Sequence, residues 1–328
     1  MTPLRQPRRG LAAAIAWASA WTVAMATTLA ASDLRAQDAG RVLVERREIA
    51  MGMEVRITAA ATPASRDRAE DAIARAFARI DALEDVLSDW RPASELSLLA
   101  DRRVGEAVPV SGELMAVLQV ALDIARATDG AFDPTVGAIT RLWREAQRTG
   151  VPVDEGARAV ARASVDWRAV VLDTVARTVA FRKPGLHLDL GGIAKGWIAE
   201  QAMLVLERAG VTDALIEAGG EIVTRGAPPG QEGWRIVVET ARGDTTLMLR
   251  DAAVSTSQSG AQLAPSGAGG HEGHVIRPST GRGETGTPRV TVVGADATVT
   301  DALATALSLL PHSRWAALLE RYAVQVVR

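Results

Sequence analysis

The chain has 328 residues, 48% of them hydrophobic and 23% charged, a balance that supports a large core and excludes a disordered chain. Its 37 basic and 39 acidic residues give a net charge of −2 with no basic block, which argues against nucleic acid as a partner. It has no cysteine, so disulfides, thiolate metal sites, a cysteine nucleophile and a lipid-anchored cysteine are excluded, whereas export is not.

Arg5, Arg8 and Arg9 precede an apolar stretch from Leu11 to Ala31, which runs into Ser32, Asp33 and Arg35. This pattern predicts a signal peptide over residues 1–36, with cleavage after Ser32 or Ala36, followed by a domain over residues 37–328. The stretch is also long enough to stay as a membrane anchor, the only membrane contact expected. The Arg8–Arg9 pair suits a twin-arginine route and equally an ordinary basic n-region. The expected location is periplasmic or otherwise exported.

From Val42 to Ala60, apolar and polar residues alternate on both sides of Met51 and Gly52, predicting two strands with a break. Thr62 and Pro63 then open a helix whose buried face carries Ile73, Phe77, Ile80, Leu83 and Leu87. A second helix starts at Ser111, repeats Leu114, Val117, Leu118, Ala121, Leu122 and Ala125 at helical spacing, and stops at Asp129 and Gly130. Val170 to Leu190 predicts a hairpin turning at Lys183, Pro184 and Gly185, and a helix then runs from about Ile193 to Ala209. Further strands are expected around Ala214–Ile216, Trp234–Glu239, Thr246–Leu249 and Arg289–Val293, with a helix near Val299–Leu310 and a last strand near Val324. Paired strands mixed with a few long helices indicate an α+β fold, with mixed or antiparallel sheets packed against helices. The Gly/Ser/Pro-rich segment from Gln258 to Gly273 is expected to be a loop able to close over a ligand.

Four segments carry candidate chemistry. In LHLDLGGIAKG, Leu186–Gly196, a strand ends at Asp189, two glycines turn the chain, and Lys195 falls in the first turn of a helix. Bare backbone N–H groups, a helix N-terminus and a lysine suit a diphosphate, although a plain strand-to-helix turn with a solvated lysine reads the same way. The spacing matches neither the Walker sequence nor GxGxxG. In VTDALATALSLL, Asp301 and Thr305 are four apart on one helical face and could offer hard oxygen ligands to Mg2+, or Thr300 or Asp301 could serve near a helix start. In GHVIRPSTG, His274 could act as a general base or be an ordinary surface histidine. In GAFDPTVG, the Phe132 ring and Asp133 carboxylate could face a heterocycle or simply shape a turn.

Taken in order with MGMEV at Met51, LSDWRPASELSLL at Leu87, ALIEAGGEI at Ala214 and VSTSQSG at Val254, these segments resemble the ApbE family, the FAD:protein FMN transferases, from Met51 to Leu310. The resemblance implies an ApbE-like fold. It implies that Met51, Trp90, Ala131, Phe132 and Asp133 line the flavin and adenine parts of FAD, that Asp189 and Lys195 hold the dinucleotide, and that Ile276 lies against it. The Gly192 carbonyl, Asp301 and Thr305 would hold Mg2+, and His274 would deprotonate the acceptor hydroxyl. The family reaction joins FMN to a threonine of an acceptor protein, such as a redox protein or domain, and releases AMP. With water in place of threonine the same site would be an FAD pyrophosphatase, and without turnover a flavin-binding module.

The sequence departs from the family pattern at Arg277, where an aspartate is usual, and in the loop Thr256–Gln258, where TSG is usual. Glu221 ends the GGD-like segment, and Met53 replaces the threonine of MGT. A cation at position 277 could alter activity or pair with a phosphate. No flavinylation acceptor motif occurs in the chain, so bound flavin is expected to be exchangeable.

Overall fold

The structure is a computed structural model that describes residues 40–100, 102–240, 243–260 and 262–327; the predicted signal segment, 1–36, lies outside the described residues. Among the described residues, no helix is long and apolar enough to cross a membrane.

A seven-stranded sheet is the frame. It is built from β1 (Val42–Ala50), β2 (Met53–Ala61), β6 (Ala214–Ala218), β7 (Glu221–Arg225), β10 (Ala252–Ser257), β15 (Val290–Gly294) and β16 (Gln325–Val327), adjacent in that order. Every neighbouring pair is antiparallel. The expected break between the first two strands is a two-residue turn in which Met51 and Gly52 take φ of 52° and 72°. Both central residues at positive φ match the right-handed twist of the flanking strands. Side chains alternate across the sheet, so Ala214, Ile216 and Ala218 join one core while Leu215 joins another.

The first core is covered by helices. Helix α1 (Arg66–Leu87) buries Ile73, Phe77, Ile80, Leu83 and Leu87, the face expected from the sequence. Glu95–Leu98 forms the single turn α2, and α3 (Gly112–Ala127) is capped by the Ser111 hydroxyl, which accepts from the Leu114 N–H. Helices α4 (Gly137–Thr149) and α5 (Glu155–Ser164) are not announced by a broad apolar stripe. Each is arginine-rich, and α4 buries only Ile139, Trp143 and Ala146 among its apolar side chains. Helices α6 (Ala194–Arg208) and α7 (Ala297–Leu309) pack on the sheet centre, and α8 (Trp315–Tyr322) precedes the last strand. The second core lies under the ribbon β8 (Trp234–Thr240) and β9 (Gly243–Leu249) on the opposite face.

Small sheets complete the fold. β3 (Val108–Pro109), β4 (Val170–Asp173) and β5 (Thr178–Phe181) form one, with β5 in the middle. The hairpin does not turn at Lys183–Gly185 as expected. It turns at 174–177, where Asp173 Oδ1 accepts from the Val175 and Ala176 N–H groups at 3.0 and 2.8 Å and Arg177 takes φ of 51°. The stretch after Phe181 therefore leaves this sheet. It runs beside the segment before α4, with the Asp189 N–H donating to Pro134 O at 2.8 Å and the Gly137 N–H to His187 O at 3.1 Å. The Gly/Ser/Pro-rich segment is likewise more ordered than a loop, since β11 (Leu263–Pro265) pairs with β12 (His271–Gly273). β13 (Ile276–Arg277) and β14 (Arg282–Gly283) make the next hairpin.

Gly196 sets the spacing of the two central helices. A Cβ there would sit 2.1 Å from Ala297 O and 2.9 Å from Asp301 Cβ, both on α7. Gly196→Ala is therefore expected to lower stability by about 3 kcal/mol or more, the range of severe overpacking. Gly112→Ala, where a Cβ meets nothing within 4 Å, should be close to neutral. Urea unfolding midpoints of the two variants check this.

Candidate functional site

At one end of the sheet the β1–β2 turn, the β6–β7 turn at Gly219–Gly220, the end of β10 and the start of β15 come together. Here a cleft of about 770 Å3 opens, within the size range of small-molecule sites. Every position singled out from the sequence as a site residue lines it. What each does there depends on the element that carries it.

Met51 and Trp90 form one wall. Met51 is a non-glycine residue at positive φ, a conformation that costs energy and is held here by the hairpin. The Trp90 ring covers the turn, 3.5 Å from where a Gly52 Cβ would be, and remains 44% exposed at the cleft mouth. It offers an aromatic face to a planar ligand.

Ala131, Phe132 and Asp133 follow the α3 C-terminus, where Asp129 and Gly130 both take positive φ. Phe132 is buried, with an edge carbon 3.3 Å from where a Gly192 Cβ would be. Asp133 is buried too, and its oxygens are engaged by the fold. Oδ1 accepts from the Thr135 N–H at 2.8 Å and the Thr135 hydroxyl at 2.6 Å, and Oδ2 from the Trp167 N–H at 3.3 Å. Burial raises its pKa despite those donors.

The glycine turn supplies the floor. Asp189 Oδ1 accepts the Gly191 N–H at 2.6 Å and so folds the turn back on itself. Gly192 is tightly packed, since a Cβ would be 3.2 Å from Thr305 Oγ1, a neighbour that would have to give by a few tenths of an ångström. Lys195 follows in the first turn of α6 and is not free in solvent: its Nζ lies 3.1 Å from Gly191 O, 3.3 Å from Asp301 Oδ1 and 3.7 Å from Glu221 Oε1. Burial pulls its pKa down, but the two carboxylates outweigh that and hold the ammonium above its ordinary value. Glu221, 2% exposed, shifts the other way: burial and then the Asp301 charge push its pKa well above the usual carboxylate range, against the pull of Lys195.

Helix α7 begins at an Asp296 cap, whose Oδ1 accepts the Thr298 N–H at 2.8 Å and the Val299 N–H at 3.3 Å. Asp301 is therefore one turn inside the helix and is not its cap. Its Oδ2 accepts the Gly196 N–H at 3.0 Å. Among the described residues, no group of three or more His, Cys, Asp or Glu is arranged to hold a metal. A carboxylate, a hydroxyl and a carbonyl are nonetheless the hard donors that suit Mg2+. The buried Glu221 Oε2 beside them has no partner, a polar atom without compensation that a cation would relieve. The residues present fit the ion.

His274 and Ile276 lie on the segment between β12 and the β13–β14 hairpin. His274 is half-buried, edge-on to Trp143 with ring centroids 6.5 Å apart, and its Nδ1 is buried without a partner. Burial and then the Lys195 charge lower its pKa, so the ring is neutral at neutral pH and able to take a proton. A clamp fixes this segment, in which the buried Arg158 of α5 grips Glu272 with two N–H donors at 3.0 Å each and Gly281 O at 2.7 Å. Arg277 does not line the cleft, and its Nη1 donates to Leu309 O at 2.9 Å.

Sequence spacing does not show one further cluster. Arg144 of α4 reaches Asp89 Oδ2 at 2.5 Å and lies 3.6 Å from Asp189 Oδ2, tying the wall before Trp90 to the glycine turn. Burial, then the neighbouring Asp189 charge, raise the Asp89 pKa to about 6, against the pull of Arg144. Asp89 beside Trp90 is visible in the sequence, but its partner comes from a helix that the apolar pattern conceals.

Known proteins share this architecture. The model of the ApbE family matches residues 51–327. The chain is 29% identical over 266 residues to the FAD:protein FMN transferase of Vibrio cholerae, covering 76% of each. It is 30% identical over 271 residues to that of Treponema pallidum, covering 76% of this chain and 74% of the relative. Among solved structures, flavin transferase ApbE from Vibrio cholerae superposes with a TM-score of 0.74 at 25% identity, over 87% of this chain and 93% of that one. The ApbE protein of Thermotoga maritima gives 0.75 at 28%, over 87% and 94%.

The raised Asp89 carboxyl has a consequence for stability. Between its ordinary value of 3.8 and about 6, the native chain holds a proton that the unfolded chain has lost, so this residue's contribution to stability falls as pH rises through that window. Asp89→Asn is expected to remove that decline. Denaturant unfolding at a series of pH values from 4 to 7 should show a flatter profile than the unaltered chain.

Proposed function

The chain belongs to the ApbE family, and we propose from that membership and the site's geometry that it transfers the FMN half of FAD to a threonine of an acceptor protein, releasing AMP. The observation that carries this is the Lys195 ammonium, held charged between Asp301 and Glu221 at the α6 N-terminus behind the glycine turn, with a neutral histidine in the same cleft. A diphosphate needs the first group, and a weak hydroxyl nucleophile needs the second.

FAD is read as lying with its ring systems against Met51, Trp90, Phe132 and Ile276, and with its diphosphate over Gly191, Gly192 and Lys195. Asp189 shapes that turn, and Asp133 supports the neighbouring wall. The Gly192 carbonyl, Asp301 and Thr305 would hold Mg2+, which when bound neutralises charge on the diphosphate. His274 takes the proton of the threonine hydroxyl as its oxygen bonds to the FMN phosphorus. The phosphoanhydride bond breaks, and AMP leaves with the bridging oxygen. Lys195 stays charged throughout, because its two carboxylates hold it so. The leader over residues 1–36 is proposed to export the chain to the periplasm or beyond, where the acceptor would be a redox protein or domain.

Purified protein incubated with FAD, Mg2+ and a threonine-bearing acceptor domain should yield an acceptor heavier by one FMN, with one AMP per transfer. His274→Ala should lower the transfer rate by about 10²–10⁴-fold, the usual worth of a general base. Asp301→Ala should abolish the Mg2+ dependence. Because the His274 pKa is depressed, the acid limb of the pH–rate profile should fall below histidine's ordinary value of about 6.5. AMP and FMN released at the same rate with or without acceptor, and no mass gain, would identify a pyrophosphatase. Tight FAD binding with no AMP would identify a flavin-binding module.

A further inference from the structure

Arg277 stands three residues beyond His274, at the position where the family pattern has an aspartate. Its guanidinium makes two connections. Nε donates to Glu284 Oε1 at 2.5 Å, and Nη1 donates to the backbone carbonyl of Leu309 at 2.9 Å. Leu309 is the last residue of α7, the helix that carries Asp301 and Thr305. Its carbonyl is one of the four that a helix end leaves without an internal donor, and a cation is favoured there. Glu284 closes the neck of the hairpin, since its own N–H donates to Val275 O at 2.9 Å, next to His274.

We propose that Arg277 is a positioning residue, fastening the neck of the His274 hairpin to the C-terminus of the metal-bearing helix so that the base and the Asp301–Thr305 face keep one relative position. The proposal rests on the function set out above. The helix is buried along its length and therefore transmits position rigidly from Leu309 back to Thr305, four residues away, and Asp301, eight away. The opposite side of the hairpin has its own anchor in the Arg158–Glu272 pair, which holds the segment folded when the strap is cut. Aspartate could not replace Arg277 in this chain. It would leave the Leu309 carbonyl without its donor and place an anion beside both Glu284 and the negative end of the helix. Arginine here is thus an alternative solution to holding the loop, and restoring the family residue should harm the protein.

The experiment compares Arg277→Lys, Arg277→Gln and Arg277→Asp in the full chain, reading AMP release from FAD with Mg2+ and, separately, amide hydrogen exchange without ligand. Gln and Asp are expected to lower kcat on the order of tenfold with a smaller rise in KM for FAD, because Ile276, proposed above to lie against the flavin, sits in the same hairpin as the displaced base. Lys keeps the charge and one donor and should recover most of the rate. Exchange across residues 275–284 should quicken in the Gln and Asp variants and stay unchanged across α6. An Asp variant as active as the unaltered chain, a Lys variant no better than Gln, or unchanged exchange at 275–284 would overturn the proposal. If the unaltered chain releases no AMP and modifies no acceptor, the function proposed above fails, and the exchange measurement alone then decides whether the strap exists.

Discussion

Two carboxylates and one ammonium share a nearly dry space at the meeting of α6, α7 and β7, and the rest of the molecule is built to keep them there. Asp301 is 3% exposed and Glu221 2%, so removing their charge partner would leave carboxylates in a medium that solvates them poorly. Lys195 can compensate both only because it follows the glycine turn directly, in the first turn of a helix, with Gly196 next to it. That glycine lets α6 approach α7 until its own N–H donates to Asp301. One residue without a side chain thus sets the distance on which the ion pair depends.

The same economy separates groups that shape the cleft from groups free to react. Asp133 and Asp189 give carboxylate oxygens to backbone N–H groups, and Arg144 ties Asp89 toward Asp189. These side chains hold the walls. Among the described residues, two of the buried side-chain atoms without a hydrogen-bond partner belong to residues that line the cleft, Glu221 Oε2 and His274 Nδ1. Buried polar atoms without partners are costly, and their place in a cleft lined by an aromatic wall and a glycine turn is what the proposed ion and proton roles rest on.

The departures from the family pattern look different once their partners are known. Thr256 Oγ1 lies 3.0 Å from Thr291 Oγ1, and Ser255 Oγ 2.7 Å from Thr300 Oγ1, so the β10 end is tied to β15 and α7 by hydroxyls. Arg277 is satisfied outside the cleft by Glu284 and a helix terminus. A reversed charge at one position is accommodated because its neighbours are a carboxylate and the negative end of a helix.

The α+β class, the long amphipathic helices and the Met51–Gly52 turn were legible in the sequence, because apolar periodicity and glycine placement are local properties. The candidate site positions rested instead on short segments and on the family resemblance, and what the fold adds is that they line the same cleft. Local patterns also misled. The Lys183–Gly185 motif looks like a hairpin turn, yet Asp173 makes the turn earlier with its own side chain, and α4 hides because one face of three apolar residues suffices against a small core. Whether Lys195 was solvated or paired and what Arg277 touched were decided only by tertiary structure. Each depends on partners between 7 and 106 residues away, and no spacing along the chain carries the distance between elements that the sheet brings together.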